Sequence, residues 1–320
     1  MKVLIVGGAG YIGGAVTDIL AQPRYTYGID LAGATEHQFR VYDSLLYEES
    51  YRKPVPFVRG DIRDHAKLLS QLAWADVVIW LAAVVGDAAC ALDPQTSVEV
   101  NQDAVGWLAK HFDGRIIFMS TCSVYGAADE ELTEESPTNP LSVYASTKLE
   151  AESYLQRKNA IIFRLGTLYG LSDTYSRVRF DLVVNTLTLR AQSEGRISVF
   201  GGEQYRPLLH VRDAAQAVVD AIDQPATGIY NLHRTNMRID ELADGIATCF
   251  PNAKVYRTPS HFEDHRNYRV NSAKADSDLG FLPRTSVEKG VLEIRDLLDE
   301  GRLAHPLNPR YWNDQHLAQR

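Results

Sequence analysis

The chain has 320 residues, 45% of them hydrophobic and 23% charged, with a formal net charge of −8. That length suits one large or two ordinary globular domains, and the acidic surplus argues against a nucleic-acid surface. Three widely spaced cysteines (Cys90, Cys122, Cys249) with no Cys-x-x-Cys exclude a disulfide framework or a cysteine-built zinc site, and no metal is expected.

Residues 2–6 are a short apolar run ending at Gly7, the pattern of a buried strand and a tight turn. Residues 11–21 then place Ile12, Ala15, Val16, Ile19 and Leu20 at helical spacing. Apolar runs recur at 39–42, 55–58, 77–81, 116–119 and 161–163, mostly separated by helical patterns. Such alternation implies right-handed crossovers and a parallel sheet covered on both faces. The C-terminal half is less regular, with helical patterns at 180–193, 211–222, 239–250 and 286–298 and short strands at 197–200 and 228–231. No apolar run approaches the roughly 18 residues of a membrane span. Glycines from Gly7 onward break any signal-peptide pattern, so a cytoplasmic protein is expected.

Gly7, Gly10 and Gly13 follow the first strand and open the first helix, with Tyr11 and Ile12 between them. A sharp turn, close backbone approach and a helix N-terminus with free N–H groups together suit a pyrophosphate. A carboxylate must then accept the ribose hydroxyls. Asp30 has the usual spacing of about 20 residues. Asp43 ends the better strand and is preferred, which makes residues 23–37 an insertion. Either acid would repel a 2′-phosphate, favouring NAD over NADP. Asp61 and Ile62 after the third strand are candidates for the adenine. The small end of the fourth strand, Leu81, Ala82 and Ala83, could let a flat cofactor lie against it.

Tyr144 and Lys148 stand four apart, one turn along a helix face. A second such pair, Tyr154 and Lys158, lacks the hydroxyl-rich strand end, Ser120-Thr121-Cys122-Ser123, that precedes the first. In a parallel sheet that strand end faces the same crevice as the glycine turn. Oxidising a sugar carbinol needs a base near neutral pH. Lowering a phenol from about 10 towards 7 takes roughly 4 kcal/mol, and cations such as Lys148 and oxidised nicotinamide act in that direction. Thr121 would hold the same substrate oxygen.

In order, these motifs resemble the extended short-chain dehydrogenase/reductase family, specifically its NAD-dependent nucleotide-sugar epimerases and dehydratases. The resemblance rests on Gly-Gly-Ala-Gly-Tyr-Ile-Gly at 7–13, Gly-Asp-Ile-Arg-Asp at 60–64, Leu-Ala-Ala at 81–83, Ser-Thr-Cys-Ser-Val-Tyr-Gly at 120–126, Tyr-x-x-x-Lys at 144–148 and Arg-Pro-Leu-Leu-His-Val-Arg-Asp at 206–213. It implies a Rossmann-type doubly wound parallel sheet with a smaller mixed α/β C-terminal substrate domain. Residues 1–168 plus about 205–235 would form the first domain, and about 169–204 plus 236–320 the second. It also implies Tyr144 as base, with Lys148 as its electrostatic partner and ribose ligand. Thr121 is then the hydroxyl partner, Asn101 lies near the cofactor, and Arg206 and Arg266 face the substrate. The implied partners are bound NAD, a nucleotide-diphosphate sugar and a second copy of the chain, docked through helices in 93–112 and 141–157.

Several positions depart from the family pattern. Dehydratases carry Asp-Glu directly after the active threonine, where this chain has Cys122-Ser123. Val85 and Thr167 replace a substrate-facing lysine and asparagine of galactose epimerases. Asp181 stands where an asparagine would meet the diphosphate, with Asn185 one turn on as the substitute. Residues 84–90 and 179–185 look like a sub-group acting on bacterial nucleotide sugars, heptoses included. The reading is a 4-epimerase with a transient 4-keto intermediate. The alternatives are a 4-dehydrogenase or 4-ketoreductase, then a 4,6-dehydratase, then a non-catalytic dinucleotide sensor, which would not need both Tyr144 and Lys148.

Overall fold

The computed structural model describes residues 1–21, 37–48, 50–258 and 267–320, with the backbone alone of 25–26 and 29–30. Strand β1 (Lys2–Val6) leads into α1 (Tyr11–Ala21). A two-residue antiparallel pair, β2 (Tyr25–Thr26) and β3 (Ile29–Asp30), precedes β4 (Gln38–Asp43). Next come β5 (Phe57–Arg59), α2 (His65–Leu72) and β6 (Val77–Trp80). The helices α3 (Asp87–Leu92), α4 (Pro94–Val98) and α5 (Ala104–His111) follow, with a wide π-type turn at Glu99–Asp103 before α5. Then come β7 (Arg115–Thr121), β8 (Ala127–Leu132), α6 (Val143–Leu155) and β9 (Ala160–Leu165).

The remaining chain forms β10 (Thr167–Tyr169), α7 (Val183–Glu194), β11 (Arg196–Phe200), β12 (Tyr205–His210), α8 (Val211–Asp220), β13 (Gly228–Leu232), β14 (Thr235–Arg238), α9 (Ile239–Thr248), β15 (Lys254–Thr258), β16 (Asn267–Val270), α10 (Ala273–Leu279), α11 (Val287–Asp299) and α12 (Asn313–Leu317).

A seven-stranded sheet in the order β13-β9-β7-β6-β1-β4-β5 is parallel throughout. Its strands are covered on both faces, so they read as unbroken apolar runs. The period of two divides them. Val3 and Ile5 pack with Ala15, Val16, Ala214 and Val218 from α1 and α8. Leu4 and Val6 pack with Leu68, Leu72, Val105, Leu108 and Leu155 from α2, α5 and α6. This is a Rossmann-like α/β fold. The strand order reverses between β1 and β6, and the crevice at such a reversal is where open α/β sheets bind ligands.

The third strand begins at Phe57 rather than at 55. Pro54 and Pro56 precede it, and proline brings no N–H to a ladder. Helix α7 starts at Val183 rather than at 180, because Phe180 N–H donates to Tyr311 O (2.8 Å) and Asp181 is drawn to Arg179. Several short strands are missing from the sequence expectation. β10, β12 and β14 form a three-stranded sheet, β15 pairs with β11, the strand expected at 197–200, and β8 pairs in parallel with β16. Beyond the large sheet, Tyr169, Leu187, Ile197, Leu208, Leu242 and Ile246 build a second core. Among the described residues no helix is long and apolar enough to cross a membrane, and no three metal-capable side chains gather.

Between β7, β9 and α6 lies a buried polar chain. Arg164 donates to both Glu152 oxygens (Nε to Oε1 at 3.1 Å, Nη2 to Oε2 at 2.7 Å) and to Tyr125 Oη (2.9 Å), while Ser120 Oγ donates to Glu152. Both charged side chains are buried, so removing one partner strands the other. Arg164→Met should destabilise the fold by about 3–5 kcal/mol. Adding Glu152→Leu should recover most of that loss, and urea unfolding of the single and double variants measures it.

Candidate active site

Gly7 turns the chain at φ 85°, its N–H on Tyr42 O at 2.8 Å. A Cβ there would stand 2.4 Å from Ala82 N, so only glycine lets the turn close against the end of β6. Gly14 N–H donates to Gly10 O (2.8 Å), and the amides ahead of it are the unpaired first turn of α1. That turn is an anion cradle. Gly7, Gly10, Tyr11, Ile12 and Gly13 all line one cavity of about 1080 Å³. Ligand sites commonly run to about 300–1,000 Å³, so this one has room for a dinucleotide and a second molecule.

Asp43 ends β4 beside the cradle, where its carboxylate accepts from Ala9 N (3.0 Å) and Leu45 N (2.7 Å). Burial nonetheless holds its pKa above the usual carboxylate range. The Asp30 side chain lies outside the described residues. Asp61 lines the cavity and is gripped by Arg63 (Nε 3.1 Å, Nη2 2.8 Å), whose hydrogen bonds pull its pKa down. Ile62, Leu81, Ala82 and Ala83 supply the apolar wall. Cradle, acid and apolar wall together suit an adenine dinucleotide.

Ser142 caps α6, accepting from Ala145 N (3.2 Å) and donating to Asp87 Oδ1 (2.7 Å). The cap sets Tyr144 in the first turn and Lys148 one turn on, both lining the cavity with Thr121 from the end of β7. The Lys148 ammonium donates to Met119 O (2.8 Å) and lies 4.7 Å from the centre of the Phe118 ring. Burial lowers its pKa to about 8. Burial also pushes the Tyr144 phenol above its ordinary value. The Cys90 thiol adds to that, and the Arg179 charge and a Thr121 hydrogen bond oppose it without prevailing. In the protein alone burial outweighs the charges around the phenol, and the expected joint effect of the Lys148 ammonium and an oxidised nicotinamide belongs to the complex with NAD. The second pair is peripheral: Tyr154 is exposed and Lys158 salts to Asp113 at 2.7 Å.

Val85, Thr167 and Arg206 line the same cavity. Asn185 does not. It is fully buried, accepting from Gly170 N (3.0 Å) and donating to Arg179 O (2.8 Å), so its amide is used by backbone and the expected substrate contact is corrected to a supporting one. Asn101 is likewise fully buried, inside the wide turn. It clasps Val84 through both N (2.8 Å) and O (2.9 Å), fixing the loop after β6 rather than lining the cavity. Cys122 is fully buried, donates to Arg164 O (3.1 Å) and faces a satellite core, while Ser123 lines the cavity. Arg266 lies outside the described residues.

Sequence reasoning assigned no role to Arg177, Arg179, Tyr47 or Asn313, all of which line the cavity. Asp181 does not face a ligand unaccompanied. Arg179 grips it (Nε to Oδ1 3.0 Å, Nη2 to Oδ2 2.7 Å), and that cation holds its carboxyl below the usual range against the opposing effect of burial. The signal was present in Arg-Val-Arg-Phe-Asp-Leu at 177–182, where polar and apolar residues alternate as in an extended segment with one face on a site.

The model of the NAD dependent epimerase/dehydratase family matches residues 3–232. The chain belongs to that family. Its cofactor is NAD, and the family acts on nucleotide sugars. A dTDP-glucose 4,6-dehydratase of Streptomyces niveus is 27% identical over 331 residues, covering 94% of each chain. A UDP-glucose 4-epimerase of Corynebacterium glutamicum is 24% identical over 325 residues, covering 92% of this chain and 94% of its own. Among solved structures, a UDP-glucose 4-epimerase from Thermotoga maritima with UDP-glucose superposes with a TM-score of 0.79 at 21% identity, over 95% of this chain and 100% of that one.

The folded chain holds the Lys148 proton less tightly than the unfolded chain does. Its buried charge therefore costs stability in full below about pH 8, and the cost fades as pH rises towards the ordinary value of 10.5. Lys148→Met should stabilise the protein at pH 7 by about 3 kcal/mol at most. Urea titrations at pH 7 and pH 10 should show that gain shrinking at the higher pH.

Proposed function

We propose that the chain is an NAD-dependent nucleotide-sugar 4-epimerase that works through a transient 4-keto sugar. One observation carries this reading. Tyr144 and Thr121 face a cavity large enough for two ligands, while the two positions after Thr121 hold a thiol buried away from it and a neutral hydroxyl. Groups for carbinol oxidation are present at the strand end, and an acid–base pair for expelling water is not found at those two positions.

In this reading Tyr144 Oη takes the proton of the sugar C4 hydroxyl and later returns it. Thr121 Oγ1 holds the same substrate oxygen, keeping the carbinol aligned. NAD would supply the acceptor and donor for the C4 hydride and, when oxidised, the positive charge that favours phenolate. Arg206, which lines the same cavity, binds the substrate diphosphate. The breadth of the cavity lets the ketose turn over before it is reduced on its other face.

Tyr144→Phe should cut turnover by about 10²–10⁴-fold, and equal rates would reject the assignment. Because Tyr144 must lose a proton whose pKa is raised, wild-type activity should climb with pH through the neutral range. Incubation with a panel of UDP- and dTDP-hexoses separates the reactions. An epimer without NADH absorbance supports the reading, stoichiometric NADH indicates a dehydrogenase, and a 4-keto-6-deoxy product indicates dehydration.

A further inference from the structure

The segment from Gly170 to Asp181 packs down on the glycine turn. Tyr11 Oη donates to Gly170 O (2.6 Å), and Ser172 Oγ to Tyr11 O (2.6 Å). Ser176 Oγ donates to Gly10 O at 3.3 Å, and a Cβ on Gly14 would fall 1.8 Å from that same hydroxyl oxygen. Lys53, buried beneath, ties Gly14 O (2.9 Å) to the Asp173 carboxylate (2.8 Å). Residues 176–179 therefore lie over the start of α1, on the cofactor side of the cavity.

Two guanidiniums leave this segment for the cavity wall. Arg179 is neutralised by Asp181. Arg177 is buried at 9% exposure, and the hydrogen-bond acceptors of its guanidinium are neutral: Arg310 O (2.6 Å) and the Asn313 side-chain oxygen. Its backbone N–H, rather than its guanidinium, donates to Glu48 (2.9 Å). It lies 4.7 Å from the Tyr47 ring centre, and the Tyr47 hydroxyl is buried with no hydrogen-bond partner among the described residues. Asn313 is pinned in turn to Val85 O (2.8 Å). A cation and a hydroxyl donor thus stand together in the wall near the cradle, the cation fixed in place from the far end of the chain.

We propose that Arg177, with Tyr47 beside it, is a further binding residue for the pyrophosphate of NAD, closing over the anion from the side opposite the helix N-terminus. The inference rests on the family's NAD, not on the reaction proposed above. The cradle supplies backbone N–H groups from below, and Arg177 supplies the charge they lack. Burial and the like charge of Arg179 lower the Arg177 pKa to about 10 against the opposing pull of the Asp181 and Glu48 carboxylates, so an anion at this place relieves a cation held at a cost. Bound NAD then leaves only when the 170–181 segment or the Asn313 pin lets go.

The test is the exchange of bound NAD on the purified holoenzyme, read with isotopically labelled NAD and by the nucleotide released per chain on denaturation. Arg177→Met should speed exchange by about 10–100-fold, the worth of a charge-assisted hydrogen bond. Arg177→Lys should lie between it and wild type. Asn313→Ala, which keeps the cation and loosens its anchor, should speed exchange several-fold. ADP-ribose should compete less well against Arg177→Met, while adenosine competes equally well with both proteins. Unchanged exchange in the lysine and Asn313 variants would overturn the proposal, even if Arg177→Met fails to fold. Unchanged exchange together with weaker UDP or dTDP binding would overturn it too, assigning the cation to the substrate's diphosphate.

Discussion

Burial opposes charge on Tyr144 and Lys148 together, and the proposed chemistry of the crevice depends on that opposition. Taking a phenol out of water favours its proton, and taking an ammonium out of water disfavours its own. The two shifts bring the groups towards a state in which neither is charged. A site left there would be inert. In the proposed reaction, where Tyr144 is the base, the positive charge of an oxidised nicotinamide would reverse that balance.

The architecture serves that economy of charge. The parallel strands end together at the reversal between β1 and β6, so the glycine turn, Asp43, Leu81 to Ala83 and Thr121 converge without any long loop. Three buried or half-buried cations elsewhere are paired with carboxylates. Arg164 holds Glu152, Arg179 holds Asp181 and Lys53 holds Asp173. Arg177 donates instead to neutral oxygens, as the buried Arg115 and Lys148 do.

Much of this was legible in the residues, for physical reasons. The doubly covered strands read as continuous apolar runs, and the Gly7 turn is forced by sterics that leave a trace in the sequence. Asp43 was legible because the strand before it was. Asn101 and Asn185 were harder, since an amide that binds a ligand and one that binds a backbone carbonyl look alike until burial separates them. Tyr47, Arg177 and Asn313 each stand at least 130 positions from the others, and no local pattern joins residues that meet only through tertiary packing. The direction of the Tyr144 shift was also hidden, because the spacing of Tyr144 and Lys148 gives no hint of how deeply the phenol is buried.

The wide turn at Glu99–Asp103 has a consequence for how the gene can vary. It carries one residue more than a regular turn would, and Asn101 inside it reaches the loop after β6 and, at 3.4 Å, Thr147 of α6. Deleting one codon there would let the helix regain its ordinary ladder, yet rotate one flank against the other by about 100°. Length changes in this stretch would thus be accepted by the backbone and refused by the crevice, so a shortened homologue would need a different clasp for its strand-end loop.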